Sequence, residues 1–381
     1  MRMPKNGISR REFLRSSAAG LAGVGLLGLS ACADETTVTT VGASGANVDQ
    51  VYFILDWIPK GQTAPFYLAL DKGYFAEEGI AVQITRGYGS GDTSARIGSG
   101  EGDFGFAGVS AVMNTISQGL PLREIAAIAH THPTSVYTAP DSGISSAEDL
   151  PGKRGAVDSG DENDQLFKAF AAQNGWDYEN DFEWLYVDGA GVAQIQADQA
   201  DFVMDWISNL PEWWLLDPPL EPGSVWIGQS LDVYGNGIIT RPEMLETNRD
   251  LAVRFSRAAV RGYQYAIDGG ESAHQEAVDS LFKFNPELVE QPSAEEFHLA
   301  NTKLFLAMMV TEEVRDHGLG YFLPEKVDRS LNFINEFLLE APLPKEDAFD
   351  PVIEENEVTL ADYDAARASL ETVLGRPNPL F

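Results

Sequence analysis

The chain has 381 residues, of which 44% are hydrophobic and 10% aromatic, so most of it can form folded domains and is not disordered. Its formal net charge is −32; because the first 31 residues hold five basic residues and one acidic residue, the remainder carries −36. A surface this acidic repels phosphate backbones and anionic headgroups, which argues against nucleic-acid binding and against electrostatic attraction to lipid. The single cysteine excludes structural disulfides and cysteine-based metal clusters, and we expect neither a metal nor another cofactor.

The N-terminus has the features of an export signal over residues 1–31. A basic head containing Ser9-Arg10-Arg11-Glu12-Phe13-Leu14 is followed by 18 uncharged residues rich in Ala, Gly and Leu. The paired arginines resemble a twin-arginine signal, and Leu29-Ser30-Ala31-Cys32 resembles a lipobox, whose cysteine is lipidated. An uncleaved anchor is the alternative, but so many small residues make a poor membrane-spanning helix. We expect a protein in the periplasm or on the outer face of the cytoplasmic membrane, attached to the membrane by lipid on Cys32 alone, with a flexible tether over 32–48.

Strands and helices alternate through the middle of the chain, and helices dominate its last third. The spacing of apolar residues predicts strands over 51–55, 81–85, 103–106, 154–157 and 182–187, with helices over 64–78, 93–99 and 162–174. Beyond Pro242 it predicts helices over 242–267, 272–284, 293–310, 324–339 and 359–374. This order predicts an α/β fold of two lobes joined by a two-strand hinge. Lobe one is expected to contain 49–137 with 238–381, its C-terminal helices packed against it, and lobe two 138–237.

The strand ends provide the candidate binding site, because ligands of open α/β sheets bind beyond the carboxyl ends of the strands. The residues there combine flexible glycines, short hydrogen-bonding side chains and aromatic rings. The predicted ligand-binding residues are Asp56, Trp57, Tyr88, Ser90, Gly91, Asp92, Thr93, Gly108, Ser110, Ser159, Gly160, Asp161, Asp188, Asp205 and Trp206.

Other roles remain open for several of these side chains. The residues Ser90, Asp92, Ser159 and Asp161 also fit helix N-caps, and the two tryptophans also fit packing at a domain edge. His130 and His132 could suggest a metal pair, but a strand-end loop fits them better because no carboxylate completes a ligand spacing.

The predicted site is acidic, with Arg86 as the only basic residue clearly placed there. Carboxylates around a cleft favour a ligand that donates hydrogen bonds or carries positive charge, and a flat heteroaromatic with amino groups would use both the acids and the tryptophans. A nitrate or sulfonate, held by backbone N–H groups at helix N-termini, is the alternative.

Three segments resemble the NMT1/THI5-like group of periplasmic binding proteins: 55–59, 67–80, and the stretch from Gly89-Ser90-Gly91-Asp92 to Asp103-Phe104-Gly105-Phe106. The resemblance implies the type II binding-protein fold and a role as the capture component of an ABC importer. It also implies a ligand-stacking role for Trp57 and a ligand-facing role for the turn 89–92. Residues 60–63 depart from the Asn/His-rich pattern of the pyrimidine binders, and the cysteine cluster of the related pyrimidine synthases is absent.

The resulting hypothesis is a monomeric solute-binding lipoprotein that captures an aminopyrimidine thiamine precursor, delivers it to ABC permease subunits and catalyses no reaction. A binder of sulfonate, taurine, nitrate or riboflavin is the alternative within the same class. An extracytoplasmic enzyme related to pyrimidine synthases is the alternative from another class, although no nucleophile–base spacing supports it.

Overall fold

A computed structural model describes residues 37–39, 48–158, 162–187 and 191–381. The strands of these residues, in chain order, are β1 Thr37–Thr39, β2 Asp49–Ile54, β3 Ile80–Thr85, β4 Phe104–Gly108, β5 Arg123–Ala127, β6 Thr134–Thr138, β7 Arg154–Asp158, β8 Glu183–Val187, β9 Phe202–Trp206, β10 Gly223–Val225, β11 Asn236–Thr240, β12 Thr372–Val373 and β13 Arg376–Pro377.

The α-helices are α1 Ala64–Asp71, α2 Tyr74–Glu77, α3 Ser90–Ser99, α4 Val109–Ser117, α5 Glu162–Gln173, α6 Val192–Gln196, α7 Pro211–Trp214, α8 Ile227–Leu231, α9 Pro242–Asp268, α10 Gly270–Phe284, α11 Ala294–Met309, α12 Glu312–His317, α13 Pro324–Phe337 and α14 Tyr363–Ser369. Short 3-10 helices cover Gly61–Thr63, Ala147–Asp149, Ile207–Asn209, Pro286–Glu290 and Lys345–Asp347.

Two mixed sheets organise the molecule. The first has strand order β1-β3-β2-β4-β11-β5, and the second has strand order β10-β6-β9-β7-β8. In the first sheet β2 runs parallel to β3 and β4, whereas β11 is antiparallel to β4 and β5. In the second, β7 runs parallel to β8 and β9, whereas β6 is antiparallel to β9. Each sheet with the helices packed on it forms one lobe, called here the first and second lobe, and together they make the α/β type II binding-protein fold expected from the sequence.

The chain passes between the lobes twice. Residues 128–133 connect β5 of the first sheet to β6 of the second, and residues 226–235 return from β10 to β11. Because β11 lies between β4 and β5, the returning chain is hydrogen-bonded on both sides within the first sheet, next to its edge strand β5. These two crossovers are the hinge strands of the fold.

The C-terminal helices cover the first lobe through apolar and aromatic contacts. Helices α9 and α10 pack on α1, and α9 also packs on α2. The ring of Phe255 on α9 stacks on Phe104 of β4 at 4.2 Å and meets Phe53 of β2 edge-on at 5.2 Å. Helices α11 and α13 also contact the second lobe, at Ile207–Asn209 and at α5 respectively. The C-terminal helices therefore support both sides of the hinge.

Two predicted helices differ from the structure. The helix predicted over 64–78 is broken in two, because Gly73 adopts a left-handed conformation with φ of 81° between α1 and α2. The helix predicted over 359–374 is reduced to α14, and the chain then turns at Leu374 and Gly375, both with positive φ, into the β12–β13 hairpin. Apolar spacing alone does not distinguish one long helix from shorter pieces separated by left-handed residues.

Among the described residues, no helix combines the length and the apolar character that crossing a membrane would require.

Candidate ligand-binding cleft

Asp56 lies at the carboxyl end of β2 and is almost fully buried, with 2% of its surface exposed. Its neighbour across the sheet is Asn236, the first residue of β11, whose Nδ2 donates to Asp56 Oδ2 at 3.0 Å. The other carboxylate oxygen, Oδ1, has no hydrogen-bond partner within the described part of the chain. A buried oxygen without a donor is destabilising, so this atom is set up to accept a hydrogen bond from a bound molecule.

The environment of Asp56 raises its pKa to about 7. Burial is the largest cause, because it penalises the charged form, and the negative charge of Glu162 adds to it. Interactions with the backbone N–H groups of Trp57 and Asp56, and the hydrogen bond from Asn236, lower the pKa but are together too weak to restore an ordinary value. A ligand that brings positive charge or an N–H donor would stabilise the carboxylate form.

Glu162 brings the second lobe into the same site. It is the first residue of α5, and its carboxylate accepts hydrogen bonds from the Ser110 hydroxyl of the first lobe and, at 3.4 Å, from His132 Nε2 of the first hinge strand. The backbone N–H of Thr134 donates to His132 Nδ1 at 3.2 Å, so the proton of the neutral ring lies on Nε2 and faces Glu162. Burial alone would raise the pKa of Glu162, but the hydrogen bonds from His132 and Ser110 outweigh it and lower the pKa.

Gly108 makes this approach possible. It ends β4, and a Cβ atom placed on it would overlap the carboxylate oxygens of Glu162. The predicted residues Gly108 and Ser110 therefore both meet Glu162, which the sequence analysis did not select. Acidic residues in the first turn of a helix commonly stabilise the helix dipole, so its position in the sequence carried no separate signal of a site.

Two exposed aromatic rings, Trp57 and Tyr88, flank the guanidinium of Arg86, and Trp57 is next to Asp56 in the chain. Trp57 has 44% of its surface exposed and Tyr88 has 52%. The guanidinium of Arg86 lies 4.3 Å from the centre of the Tyr88 ring and 6.0 Å from that of Trp57. The backbone N–H of Gly89 donates to Asp56 O at 2.7 Å, which ties the loop that carries Tyr88 to the end of β2. Exposed rings beside a buried carboxylate offer a planar surface for a flat ligand.

Helix α3 holds four further predicted residues, which have different surroundings. Ser90 is buried and its Oγ accepts from the Gly108 backbone N–H at 3.0 Å, while Thr93 donates to Leu55 O at 2.7 Å. Asp92 is partly exposed and lies 3.9 Å from Arg96, and Gly91 has open space where a Cβ would be. The helix is preceded by Gly89 with no side-chain cap, so Ser90 and Asp92 are not the N-caps that the alternative interpretation required. Ser90 and Thr93 instead connect the ends of β2, α3 and β4.

The second lobe contributes Asp205 and Trp206 at the end of β9. Asp205 Oδ1 accepts from the Trp206 backbone N–H at 2.6 Å and from Asn209 Nδ2 at 2.8 Å. Burial and the charge of Glu212 raise the pKa of Asp205 to about 6. Trp206 is half-buried and its carbonyl accepts from Tyr137. No direct contact joins this pair to Asp56 in the described residues; the link between them is Lys60, which follows β2 and reaches Asn209 and Glu212 at 3.2 and 3.1 Å.

Four predicted ligand-binding residues and the predicted lipidation site lie outside the described residues: Ser159, Gly160, Asp161, Asp188 and Cys32. His130 and His132 are both buried in the first hinge strand. In the part of the chain that the structure describes, no group of three or more His, Cys, Asp and Glu side chains has the arrangement of a metal site.

Comparison with known proteins identifies the family. The profile of the NMT1/THI5 like family matches residues 60–273, which is more than half of the chain. This chain belongs to that family. The riboflavin-binding protein RibY of Chloroflexus aurantiacus is 24% identical to this member over 337 residues, which cover 85% of this chain and 93% of RibY.

A partial sequence relative and a solved structure add to this comparison. The 4-amino-5-hydroxymethyl-2-methylpyrimidine phosphate synthase THI11 of Saccharomyces cerevisiae is 30% identical over 109 residues, which cover 28% of this chain and only 32% of the synthase. The structure of the alkanesulfonate-binding protein SsuA from Xanthomonas axonopodis pv. citri, bound to MOPS, superposes with a TM-score of 0.59 at 14% identity and covers 80% of this chain and 99% of SsuA. At that identity the superposition establishes the shared two-lobed fold.

Proposed function

We propose that this NMT1/THI5 like protein is an exported solute-binding lipoprotein of an ABC importer that captures a small planar nitrogen heterocycle. An aminopyrimidine of the thiamine-precursor type is the ligand that we favour. The observation that carries the proposal is the buried Oδ1 of Asp56, which has no hydrogen-bond partner in the described part of the chain; Asp56 is followed by the exposed Trp57 and lies within electrostatic reach of Glu162.

The ligand class follows from the chemistry of these groups. Exocyclic amino groups donate hydrogen bonds, and a carboxylate oxygen without a donor is their natural partner. A protonated ring nitrogen would in addition offset the repulsion between Asp56 and Glu162. An aromatic ring adds stacking on Trp57, typically worth about 0.5–1.5 kcal/mol beyond the burial of area.

The proposal also covers lobe closure, oligomeric state, delivery of the ligand and the absence of a reaction. The two lobes would close around the ligand by rotation at the two crossovers, 128–133 and 226–235, which lie a few residues before the lobe boundaries expected from the sequence. The protein would act as a monomer that hands its ligand to permease subunits. It would need no cofactor and would catalyse no reaction.

A thermal-shift screen followed by calorimetry tests the ligand class. We expect the melting temperature to rise with 4-amino-5-hydroxymethyl-2-methylpyrimidine and related aminopyrimidines, and to stay unchanged with taurine and nitrate, because a ligand that binds only the folded state must stabilise it. D56N should remove most of the binding while keeping the hydrogen bond from Asn236. A shift with taurine or nitrate alone would overturn the proposal in favour of an anion binder.

Riboflavin is the second candidate, and the full-length similarity to RibY favours it. Its larger ring system would use Trp57 and Tyr88 together, both of which are exposed. Competition between riboflavin and the aminopyrimidine in the same calorimetric assay decides which ligand binds more tightly.

The partial similarity to the yeast synthase motivates an enzymatic control. Purified protein incubated with the aminopyrimidine or riboflavin is expected to return it unchanged, as followed by mass spectrometry. Turnover of either compound would contradict a role in binding alone.

The lipid anchor has its own test. In cells that make the full chain, we expect the protein in the membrane fraction and the C32A variant in the soluble extracytoplasmic fraction. Recovery of C32A in the membrane fraction would contradict lipidation at this residue.

A further inference from the structure

Arg86, which follows β3, has no acidic partner among the described residues. Its Nε donates to Gly87 O at 3.2 Å, and the two terminal nitrogens of its guanidinium have no acceptor in the part of the chain that the structure describes. Its neighbour Arg96, in contrast, forms ion pairs with Asp92 at 3.9 Å and Glu101 at 3.2 Å. A cation with no acidic partner among the described residues, in a chain of net charge −32, is a candidate to bind an anion from outside the protein.

The exposed rings of Trp57 and Tyr88 orient the guanidinium of Arg86. The guanidinium is 4.3 Å from the centre of Tyr88 and 6.0 Å from that of Trp57. An aromatic ring attracts a guanidinium through its face, while the N–H bonds of the guanidinium point outward in its own plane. The free edge of Arg86 therefore remains able to bind an anion in a bidentate manner.

Main-chain contacts fix the loop that carries Arg86 next to the buried carboxylate of Asp56. The N–H of Gly87 donates to Trp57 O at 3.3 Å, and the N–H of Gly89 donates to Asp56 O at 2.7 Å. A Cβ on Gly87 would overlap Leu55 O and lie 2.8 Å from Asp56 O, so the loop approaches β2 as closely as glycine allows. These main-chain contacts hold the loop that carries Arg86 and Tyr88 against the end of β2 that carries Asp56 and Trp57.

We infer that Arg86, backed by Trp57 and Tyr88, binds an oxyanion substituent of the heterocycle whose ring faces Asp56. This inference rests on the proposed function and narrows its ligand class. The site is acidic where the ring binds and basic at its exposed side, so it complements a ligand with N–H donors at one end and a phosphate, sulfonate or carboxylate at the other. A phosphate monoester, with close to two negative charges and three acceptor oxygens, is the best match to a bidentate guanidinium.

Calorimetry with matched neutral and phosphorylated ligands tests the inference. The pairs are 4-amino-5-hydroxymethyl-2-methylpyrimidine with its phosphate ester and riboflavin with flavin mononucleotide. In at least one pair we expect the wild-type protein to bind the phosphorylated compound about tenfold more tightly or better, a preference that weakens as salt concentration rises. R86Q should weaken binding of the phosphorylated compound much more than binding of the neutral compound, so that the preference is lost, and R86K should keep part of the preference.

R249Q provides the control for the change in net charge, because Arg249 lies on α9 and pairs with Asp350. It should keep the preference for the phosphorylated ligand. Equal affinities for the two members of each pair in the wild type, or a preference that survives R86Q, would overturn the role of Arg86 but not the proposed function. Absence of binding for all four compounds would overturn the proposed function and the role of Arg86 together.

Discussion

The proposed site depends on residue 108 being a glycine, which has no side chain. Any larger residue there would occupy the space that the Glu162 carboxylate takes when it accepts from Ser110. The distance between the two lobes at this point therefore depends on residue 108 being glycine. Only because it is glycine can the Glu162 carboxylate reach the Ser110 hydroxyl.

For G108A we expect a loss of about 1–3 kcal/mol in the free energy of unfolding, because the new methyl group must displace Glu162 or the end of β4. Urea unfolding followed by circular dichroism measures it. G91A is the matched control: its Cβ meets no atom within 4 Å, and replacing a helical glycine by alanine should leave stability unchanged or raise it by up to about 1 kcal/mol. Equal effects of the two substitutions would contradict the packing of Glu162 against Gly108.

The titration of Asp56 leads to a second prediction at the level of a single residue. Its pKa is about 7 in the folded protein against 3.8 for an ordinary Asp, so the folded state holds a proton between these values that the unfolded state has lost. The contribution of Asp56 to stability therefore falls as pH rises from about 4 to about 7. A ligand that donates to the carboxylate favours its charged form, so affinity should rise with pH over the approach to pH 7, by at most about tenfold per unit.

Calorimetry in buffers of different ionisation enthalpy measures this linkage directly. Near pH 6 we expect binding to release a proton from Asp56, and above about pH 8 to release almost none, because the carboxylate is then already charged. D56N should lose the proton release at pH 6. A pH-independent affinity in the wild type would mean that the ligand does not contact Asp56.

At the scale of elements, the sequence predicted most of the architecture because burial is periodic. In β3 buried and partly exposed residues alternate, and in β4 every residue is buried; both patterns are readable from residue type. The sequence did not predict where two of the helices break. Gly73 and the turn at Leu374–Gly375 adopt left-handed conformations, and the spacing of apolar residues gives no sign of these.

The site was harder to predict than the fold, because its contacts join distant segments. Asp56 and Asn236 are 180 residues apart, and Ser110 and Glu162 are 52 apart. The rule that ligands bind at strand ends led to Asp56, Gly108 and Ser110, but not to Glu162, the residue of the second lobe that contacts Ser110 and Gly108. Thr93 shows the reverse limit: it was predicted to bind ligand, yet it lies on α3 and its buried hydroxyl donates to Leu55 O inside the protein.

A buried polar cluster ties the two hinge strands to the C-terminal helices. Glu313 of α12 accepts from Tyr234 of the second crossover and lies 3.3 Å from His130 Nδ1 of the first. Lys326 of α13 lies 3.3 Å from Glu313 and donates to the His130 carbonyl. Burial would raise the pKa of Glu313, but His130, Lys326 and Tyr234 outweigh it and lower the pKa to about 2.

We expect E313Q to lower the free energy of unfolding at pH 7 by about 3–5 kcal/mol, because it leaves Lys326 buried without its counter-charge. The loss should shrink as pH falls through the unfolded value of 4.5 towards 2, where the glutamate of the wild type becomes protonated as well. Denaturant unfolding at pH 7 and at pH 3 checks both points. D232N is the control on the same crossover: it removes an exposed pair with Arg329, with an expected effect of about 0–1 kcal/mol.

At the scale of the whole molecule, the two lobes share their packing as well as their hinge. Each of the two hydrophobic cores contains residues of both sheets: one joins Phe53 to Val203, and the other joins Ile54 to Phe202. Polar contacts add to this, since Asn301 of α11 donates to Ser208 O at 2.8 Å and its Oδ1 accepts from the Gln62 N–H at 2.6 Å. Ligand entry must therefore separate polar contacts between the lobes while leaving most of the shared core intact.

The salt bridge between Lys60 and Glu212 links the two lobes and is only partly buried, with side-chain exposures of 15% and 42%. We expect K60M to shift the ligand-free protein towards the open form, increase its radius of gyration in small-angle X-ray scattering, and weaken ligand binding by about fivefold. That factor corresponds to the loss of an ion pair worth about 1 kcal/mol. K345M, which removes the pair between Lys345 of the last 3-10 helix and Asp328 of α13, is the control and should leave both quantities unchanged. If K60M and the wild type have the same radius of gyration without ligand, the Lys60–Glu212 pair does not hold the lobes together.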